Sequence, residues 1–341
     1  MAPNLAASQH ELIRDMILSK SSTTAQMADM AGRSDRSICH GYNEAKIYDP
    51  YSDKSQYNTS VDLIIPEGRE WNNTLDTGTC ETFSDGSPVK EVQREFLNIF
   101  AISILQSMME HMPGVNLALI DIPLLMDLCP FETVNNPNGT LSPLCNLFSI
   151  SDWYGYDYYK TLEKYYAFGA GNPLGSTRGV GYVNELISRM TKSLPVIDHT
   201  SVNHTLDSDP DTFPLDTALY ADFTHDNAMV SIFDAFGLYN STPPLSAKHV
   251  QSAAGTKGFS ASWVVPFASR AYFEVMRCAS EDDQEEEGEE LVRVLVNDRV
   301  VPLHGCDVDD LGRCKLKDWI DGLDFARNGG RWEDYCTGPT D

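Results

Sequence analysis

The sequence predicts an α/β fold, in which a sheet is flanked by helices and a mostly helical insertion covers roughly residues 80–166. A short apolar run at Leu219–Phe223 precedes a polar turn and a helical pattern at Ala228–Phe236, which together predict a strand–turn–helix unit. Two runs rich in Val and Leu flank Asn297-Asp298, a pair typical of a hairpin turn. Within the insertion, apolar residues recur at helical spacing over residues 92–108.

The first half of the chain contains few signals of regular structure before residue 87. Residues 1–56 are polar and weakly patterned, and Val61–Ile65 is predicted to form a strand that ends at Pro66. Ser87-Pro88 is typical of a helix start, since a cap residue precedes a proline. Leu117–Leu128 is apolar enough to predict a buried helix. The helical stripe before it consists of Val92, Phe96, Ile99, Phe100, Ile104 and Met108.

The second half alternates helical and strand-like patterns. Residues 150–192 predict two helical stretches around a glycine-rich run. Ser262–Cys278 and Leu291–Leu303 are rich in Val, Phe and Tyr, and we expect strands within both. The acidic run at residues 281–290 predicts a solvated loop, because its like charges repel. Trp319–Ala326 is predicted to form the last helix.

Composition and charge narrow the class of protein. The chain is 42% hydrophobic with a formal net charge of −25, so it can bury a core but repels nucleic acid and anionic membranes. No segment is apolar and long enough to predict a signal peptide or a membrane span. The spacing of the eight cysteines and the histidines does not suit zinc, and we expect no metal or other cofactor.

Glycosylation sequons and cysteines favour a secreted, extracellular protein. The five N-x-Ser/Thr sequons are at Asn58, Asn72, Asn138, Asn203 and Asn240. An even number of cysteines fits the same oxidising environment. Because secretion requires a signal that this N-terminus lacks, we expect the beginning of the protein to be missing from the chain.

The segment YADFTHDNAMVSIFDAFGLYN, residues 220–240, most directly suggests chemistry. It places His225 and Asp226 where the predicted strand ends and the helix begins, the edge at which α/β sheets bind ligands. The first backbone N–H groups of a helix suit an anion such as phosphate. His225 can donate to a phosphate oxygen, and Asp226 can protonate a leaving alkoxide if neighbouring negative charge raises its pKa. The alternative is that the pair only caps the helix.

This segment resembles the His-Asp block of histidine acid phosphatases in the form found in fungal phytases. The resemblance extends over most of the chain, and its segments follow in the same order. They include NNTLDTGTC (72–80), LMDLCPF (125–131), AGNPLGSTRGVGYVNELISRM (170–190), WVVPFASRAYFEVMRC (263–278) and LVRVLVNDRVVPLHGCDVDDLGRC (291–314).

The resemblance implies a phosphoglycerate-mutase-like (histidine phosphatase) sheet flanked by helices, with a small inserted α-domain. Residues 57–79 and 167–341 would form the α/β domain, and residues 80–166 the helical insertion. Residues 1–56 match nothing in the family, and we expect them to be partly disordered. The resemblance also implies a monomer without nucleic-acid or membrane partners. The disulfides that it implies are Cys80–Cys336, Cys129–Cys145 and Cys306–Cys314.

The activity implied by the resemblance is hydrolysis of the phosphate monoesters of inositol hexakisphosphate (phytate) through a phosphohistidine. His225 would bind the transferring phosphate, and Asp226 would protonate the leaving inositol oxygen. Asp127 and Lys164 fall where phytases line the substrate pocket, and Asn227 is expected to bind substrate beside them. From the residues alone, Asp127 and Lys164 would be ordinary helix surface residues.

The chain departs from the family at the nucleophile, which is the histidine of an N-terminal RHGxRxP motif. None of the eight histidines here follows an arginine. Two pocket positions also differ: a Lys-Lys pair is Glu163-Lys164, and the histidine of GHGAGNP is Phe168. The family partner of Cys278 lies in the same N-terminal region, and Cys39 has no family counterpart. We therefore expect this chain to be incomplete, with weak or no phytase activity.

Two other classes of function stay open at this point. A non-catalytic phosphate-ester-binding paralogue would need the remaining pocket to hold phytate without the arginines of the motif. An unrelated glycoprotein with a structural role would need a fold without a helix-flanked sheet.

Overall fold

The computed structural model of the protein describes residues 39–40, 73–75, 80, 82–112, 114–194, 196, 201–217, 219–278 and 288–336. The strands are β1 (Cys39–His40), β2 (Ala271–Cys278), β3 (Glu290–Val296), β4 (Arg299–Val300) and β5 (Cys314–Lys315). The helices are α1 (Ser87–Phe100), α2 (Ile102–His111), α3 (Asp121–Asn135), α4 (Ile150–Glu163), α5 (Val180–Thr191), α6 (His204–Asp207), α7 (Asp226–Ala235), α8 (Ala261–Val264), α9 (Leu316–Asp321), α10 (Asp324–Arg327) and α11 (Trp332–Tyr335). A π-helical turn at Lys164–Phe168 follows α4, and a 3-10 turn at Ser176–Gly179 precedes α5.

The described strands form one antiparallel sheet in the order β1-β2-β3-β4, and β5 pairs with β3. β2 and β3 make the longest ladder, which starts with Ala271 opposite Val296. β3 turns back into β4 through Asn297 and Asp298, whose φ angles are 49° and 63°. Positive φ at both central residues is the geometry of a tight type I′ hairpin turn, so the predicted hairpin is confirmed.

A continuous hydrophobic core connects the sheet to the helices. Val292 and Val294 of β3 are fully buried, and they belong to the same cluster as Phe96 of α1 and Val230 of α7. This cluster contains residues of both the predicted insertion and the predicted α/β domain. The boundary between those two domains therefore stays a prediction.

The packing of α1 on α4 follows the predicted apolar stripe with one exception. Phe96 stacks on Phe100 with ring centres 5.9 Å apart and meets Tyr158 of α4 edge to face at 5.1 Å. A side chain at Gly155 would place its Cβ 2.4 Å from the Phe100 ring, so this close approach requires glycine. Ile99, assigned to the stripe, is 50% exposed, because it lies at the edge of the packed face.

The predicted buried helix at Leu117–Leu128 is wrong in its start and in its burial. α3 begins at Asp121, and Leu124 and Leu128 are 57% and 43% exposed. Only one face of α3, which includes the fully buried Met126, packs on the core.

Two further element predictions need correction. The predicted strand at Leu219–Phe223 has no regular secondary structure, because none of the described strands lies beside it to share backbone hydrogen bonds. The predicted last helix at Trp319–Ala326 is divided into α9 and α10 around Gly322. There the chain turns because the Gly322 N–H bonds back to the carbonyls of α9.

Three disulfides connect cysteines within the described residues. They join Cys80 to Cys336, Cys129 to Cys145 and Cys306 to Cys314, the pairing that the resemblance implies. The backbone of Cys278 lies opposite that of Cys39 in the β1–β2 pair.

Some predictions lie outside the described residues. These are the predictions for residues 1–38, for the strand at Val61–Ile65 and for most of the acidic run 281–290. Within the described ranges, no helix is both long and apolar enough to cross a membrane.

Candidate active site

His225, Asp226 and Asn227 lie at the start of α7, where the strand–turn–helix pattern predicts a helix N-terminus. The backbone of His225 is extended, and its carbonyl accepts the N–H of Met229 at 3.0 Å. The imidazole makes no capping hydrogen bond, so the helix-cap alternative does not account for His225. The side chain of Asp226 is 49% exposed, and its Oδ1 accepts the backbone N–H of Asn227 at 2.8 Å.

Lys164 reaches the same place from the end of α4. Its side chain is only 11% exposed, and its Nζ donates to Asp226 Oδ2 and to Asn227 Oδ1, both at 2.6 Å. The π turn that begins at Lys164 is closed by the Gly169 N–H on the Lys164 carbonyl at 3.0 Å. Such π turns are rare and are frequent at functional sites. The structure thus brings Lys164 into contact with two other predicted site residues, Asp226 and Asn227, which are 62 and 63 positions further along the chain.

Asp127 contacts a different set of groups. Its carboxylate accepts a hydrogen bond from the Tyr156 hydroxyl and pairs with Lys160 Nζ at 3.1 Å. Lys160 also lies 4.0 Å from Glu163, so this lysine has carboxylates on two sides. Burial, together with the Asp127 carboxylate, raises the pKa of Tyr156. Lys160 is one helical turn before Lys164, so Asp127 lies beside the site rather than in contact with Lys164.

Arg178 is a cation that the sequence analysis did not select. Its guanidinium lies 4.0 Å from the ring centre of Phe83 and 5.7 Å from that of Phe168. Lys164 Nζ is also 5.7 Å from the Phe168 centre, so two cations share one aromatic ring. The only sequence signal for Arg178 is its position just after the glycine-rich run.

An ion pair attaches the irregular segment 219–225 to α5. Asp222 Oδ2 accepts from Arg189 Nη1 at 2.6 Å and from the Tyr182 hydroxyl at 3.0 Å. Burial and the Asp222 carboxylate raise the pKa of Tyr182 well above its ordinary value. Burial also raises the pKa of Glu185, beside the same arginine, to about 8. Sequence reasoning missed this cluster, because Asp222 is 33 positions from Arg189 and 40 positions from Tyr182 in the chain.

The start of α7 combines groups that suit a phosphate ester. The His225 imidazole, the Lys164 ammonium and the Asn227 amide are hydrogen-bond donors for phosphate oxygens. The backbone N–H groups of the first helical turn, which have no acceptor within the helix backbone, add to them. Asp226 is exposed enough to exchange a proton with a ligand.

Residues 31–297 match the Histidine phosphatase superfamily (branch 2). The chain therefore belongs to this superfamily, as the resemblance predicts. It is 50% identical to Phytase A of Aspergillus fumigatus over 310 residues, which are 90% of this chain and 65% of that protein. It is 51% identical to Phytase A of Aspergillus awamori over 294 residues, 86% of this chain and 62% of that protein. The chain thus spans just under two thirds of the length of these relatives.

A solved structure shows a similar fold. The crystal structure of the phytase from D. castellii is similar to this chain with a TM-score of 0.57 and 19% sequence identity. The similarity covers 78% of this chain and 52% of the D. castellii chain. At this level of identity the likeness concerns the fold alone. Together with the family match, it confirms the predicted α/β histidine phosphatase fold.

Proposed function

We propose that this chain binds a phosphate monoester of an inositol polyphosphate at the start of α7 and serves phosphate-ester hydrolysis there. The contact of Lys164 with Asp226 and Asn227 at 2.6 Å carries this proposal. This contact places the largely buried Lys164 ammonium next to the Asp226 carboxyl group at a helix N-terminus, a position that suits an anion. The name of the relatives, phytase, supports phytate as the ester.

Each group has a role that follows from its chemistry. His225 donates a hydrogen bond to the transferring phosphate, and Lys164 contributes positive charge to the phosphate oxygens. Asn227 holds the same phosphate through its amide. Asp226 gives a proton to the inositol oxygen as the ester bond breaks.

Turnover depends on a nucleophile as well as on these groups. A phosphohistidine route needs a histidine to attack phosphorus, and the sequence contains no histidine in an RHGxRxP context. General acid help alone is worth about 10²–10⁴-fold. We therefore expect weak or no phosphate release by this chain. The same feature favours a second candidate function, a protein that binds phosphate esters without hydrolysing them.

Calorimetry with phytate at pH 5 tests the binding site. Lys164→Met should weaken binding at least about tenfold, because a charged hydrogen-bond donor is lost. Lys248→Met is the matched control, since it removes the same charge from a side chain that is 78% exposed. Failure of the unaltered chain to bind phytate, or equal losses in both variants, would refute the proposal.

Phosphate release, measured on the same samples, separates the two candidate functions. Binding without release favours the non-catalytic protein. Release that falls in Asp226→Asn favours hydrolysis with Asp226 as the proton donor. Rapid release by the unaltered chain would contradict our expectation that the nucleophile is missing.

We also propose that the protein is a secreted, monomeric glycoprotein. The disulfides and the sequons support secretion. Of the sequon asparagines, Asn138 and Asn240 are exposed and so accessible for glycosylation. Endoglycosidase treatment of protein secreted by a fungal host should lower its mass. Light scattering should give the mass of one glycosylated chain, and a doubled mass would contradict the monomer.

A further inference from the structure

We propose that Asp222 is a positioning residue, which holds His225 and Asp226 in place by attaching the segment before them to α5. This inference rests on the proposed function, because it concerns the same site. It adds a residue that neither the His-Asp motif nor the predicted pocket includes.

Apart from Asp222 and Tyr220, few side chains hold the segment 219–225. It forms neither strand nor helix, and Leu219 and Phe223 are 55% and 86% exposed. Burial of these apolar side chains therefore does not fix the segment. Its last residue is His225, so any movement of the segment moves the imidazole.

The contacts of Asp222 lie near the protein surface and are only partly shielded from solvent. The Asp222 side chain is 25% exposed and that of Arg189 is 13% exposed, with Oδ2 and Nη1 2.6 Å apart. The Tyr182 hydroxyl donates to the same oxygen at 3.0 Å. A partly buried, charge-assisted pair with a second donor is stronger than a surface ion pair.

Arg189 is itself held in place. Its guanidinium lies 5.0 Å from the ring centre of Phe213 and 5.0 Å from that of Tyr220. The Tyr220 hydroxyl donates to the Pro214 carbonyl at 2.8 Å, which fixes one of these rings. The cation that anchors Asp222 is therefore positioned by aromatic groups as well as by its helix.

The Asp222–Arg189 pair is close enough in the chain to affect the positions of His225 and Asp226. His225 is three positions after Asp222, so the chain between them can reach at most about 11 Å. α5 packs against α7, so both ends of this short stretch are attached to the same group of helices. Without the Asp222–Arg189 pair, the segment samples other conformations, and ligand affinity falls with the fraction that stays competent.

Asp222→Asn gives a sharp test, because charge and position predict opposite results. Phytate is an anion, so removal of a nearby negative charge should tighten its binding or leave it unchanged. Loss of positioning should instead weaken the binding of phytate, about tenfold, at pH 5 in calorimetry. Asp216→Asn is the matched control, since it removes the same charge from an exposed position in the preceding loop.

Two further measurements keep the test decisive if Asp222→Asn unfolds. Tyr182→Phe removes one hydrogen bond to Asp222 and keeps the ion pair, so it should weaken phytate binding about twofold. In Tyr182→Phe, hydrogen exchange should speed up at the Met229 N–H, which bonds the His225 carbonyl, while the unfolding midpoint stays the same.

The two levels of proposal fail differently. If the unaltered chain does not bind phytate, the proposed function fails. If it binds phytate and both Asp222→Asn and Tyr182→Phe match Asp216→Asn in affinity, the positioning role is overturned and the site stands.

Discussion

Asp234 is a carboxyl group on α7 that faces a small cavity. The cavity has a volume of about 10 Å³, room for one water molecule, and its lining includes Tyr165, Tyr239 and Phe259. Burial raises the pKa of Asp234 from 3.8 to about 7. Tyr165 belongs to the π turn that begins at Lys164, so the cavity lies where the two elements that carry the site meet.

The direction of this shift sets the pH dependence of stability. In the unfolded chain Asp234 ionises near pH 4, whereas in the folded protein it stays protonated until about pH 7. The protonated Asp234 carboxyl therefore costs the folded protein no stability below pH ~4. As the pH rises from about 4 to about 7, the buried carboxyl resists ionisation, and the free energy of unfolding falls. The shift from 3.8 to about 7 is about three pKa units. At about 1.4 kcal/mol per unit, the upper limit is about 4 kcal/mol, and relaxation of the site lowers it to about 2–4 kcal/mol.

We expect Asp234→Asn to remove the loss of stability that ionisation of this buried carboxyl causes at high pH. Its free energy of unfolding should equal that of the unaltered chain at pH 3.5 and exceed it by about 2–4 kcal/mol at pH 8. Urea unfolding followed by tryptophan fluorescence at both pH values measures the difference. Asp216→Asn serves as control, because it also removes one negative charge, from an exposed position. A gain at pH 8 no larger than that of the control would refute the reasoning.

Other predictions follow from packing and from the sheet. Gly179→Ala should lower the free energy of unfolding by about 2–4 kcal/mol, because its Cβ would lie 2.5 Å from the Ser231 carbonyl oxygen; an unchanged urea midpoint would contradict this contact. Asn297→Ala should cost about 2–3 kcal/mol in thermal unfolding, because the side chain bonds three backbone groups and the position has positive φ.

The parts of the site that could be predicted from sequence are those with local causes. His225 and Asp226 were found because a polar turn before a helical pattern lies within a few residues of sequence. Lys164 could be associated with them only through the family resemblance, since nothing in the surrounding helix distinguishes it. Asp127 came from the same resemblance, but its contacts are with Tyr156 and Lys160.

By itself, the sequence predicted the helix at Ala228–Phe236, which the structure shows at Asp226–Ala235, as well as the hairpin turn at Asn297-Asp298 and the family. These depend on helical periodicity, on turn residues and on motifs, all of which act between near neighbours in the chain. The tertiary structure alone decided that Leu219–Phe223 stays irregular and that Asp222 meets Arg189. Both outcomes depend on which distant groups pack beside a segment, and the local pattern of residues does not encode that choice.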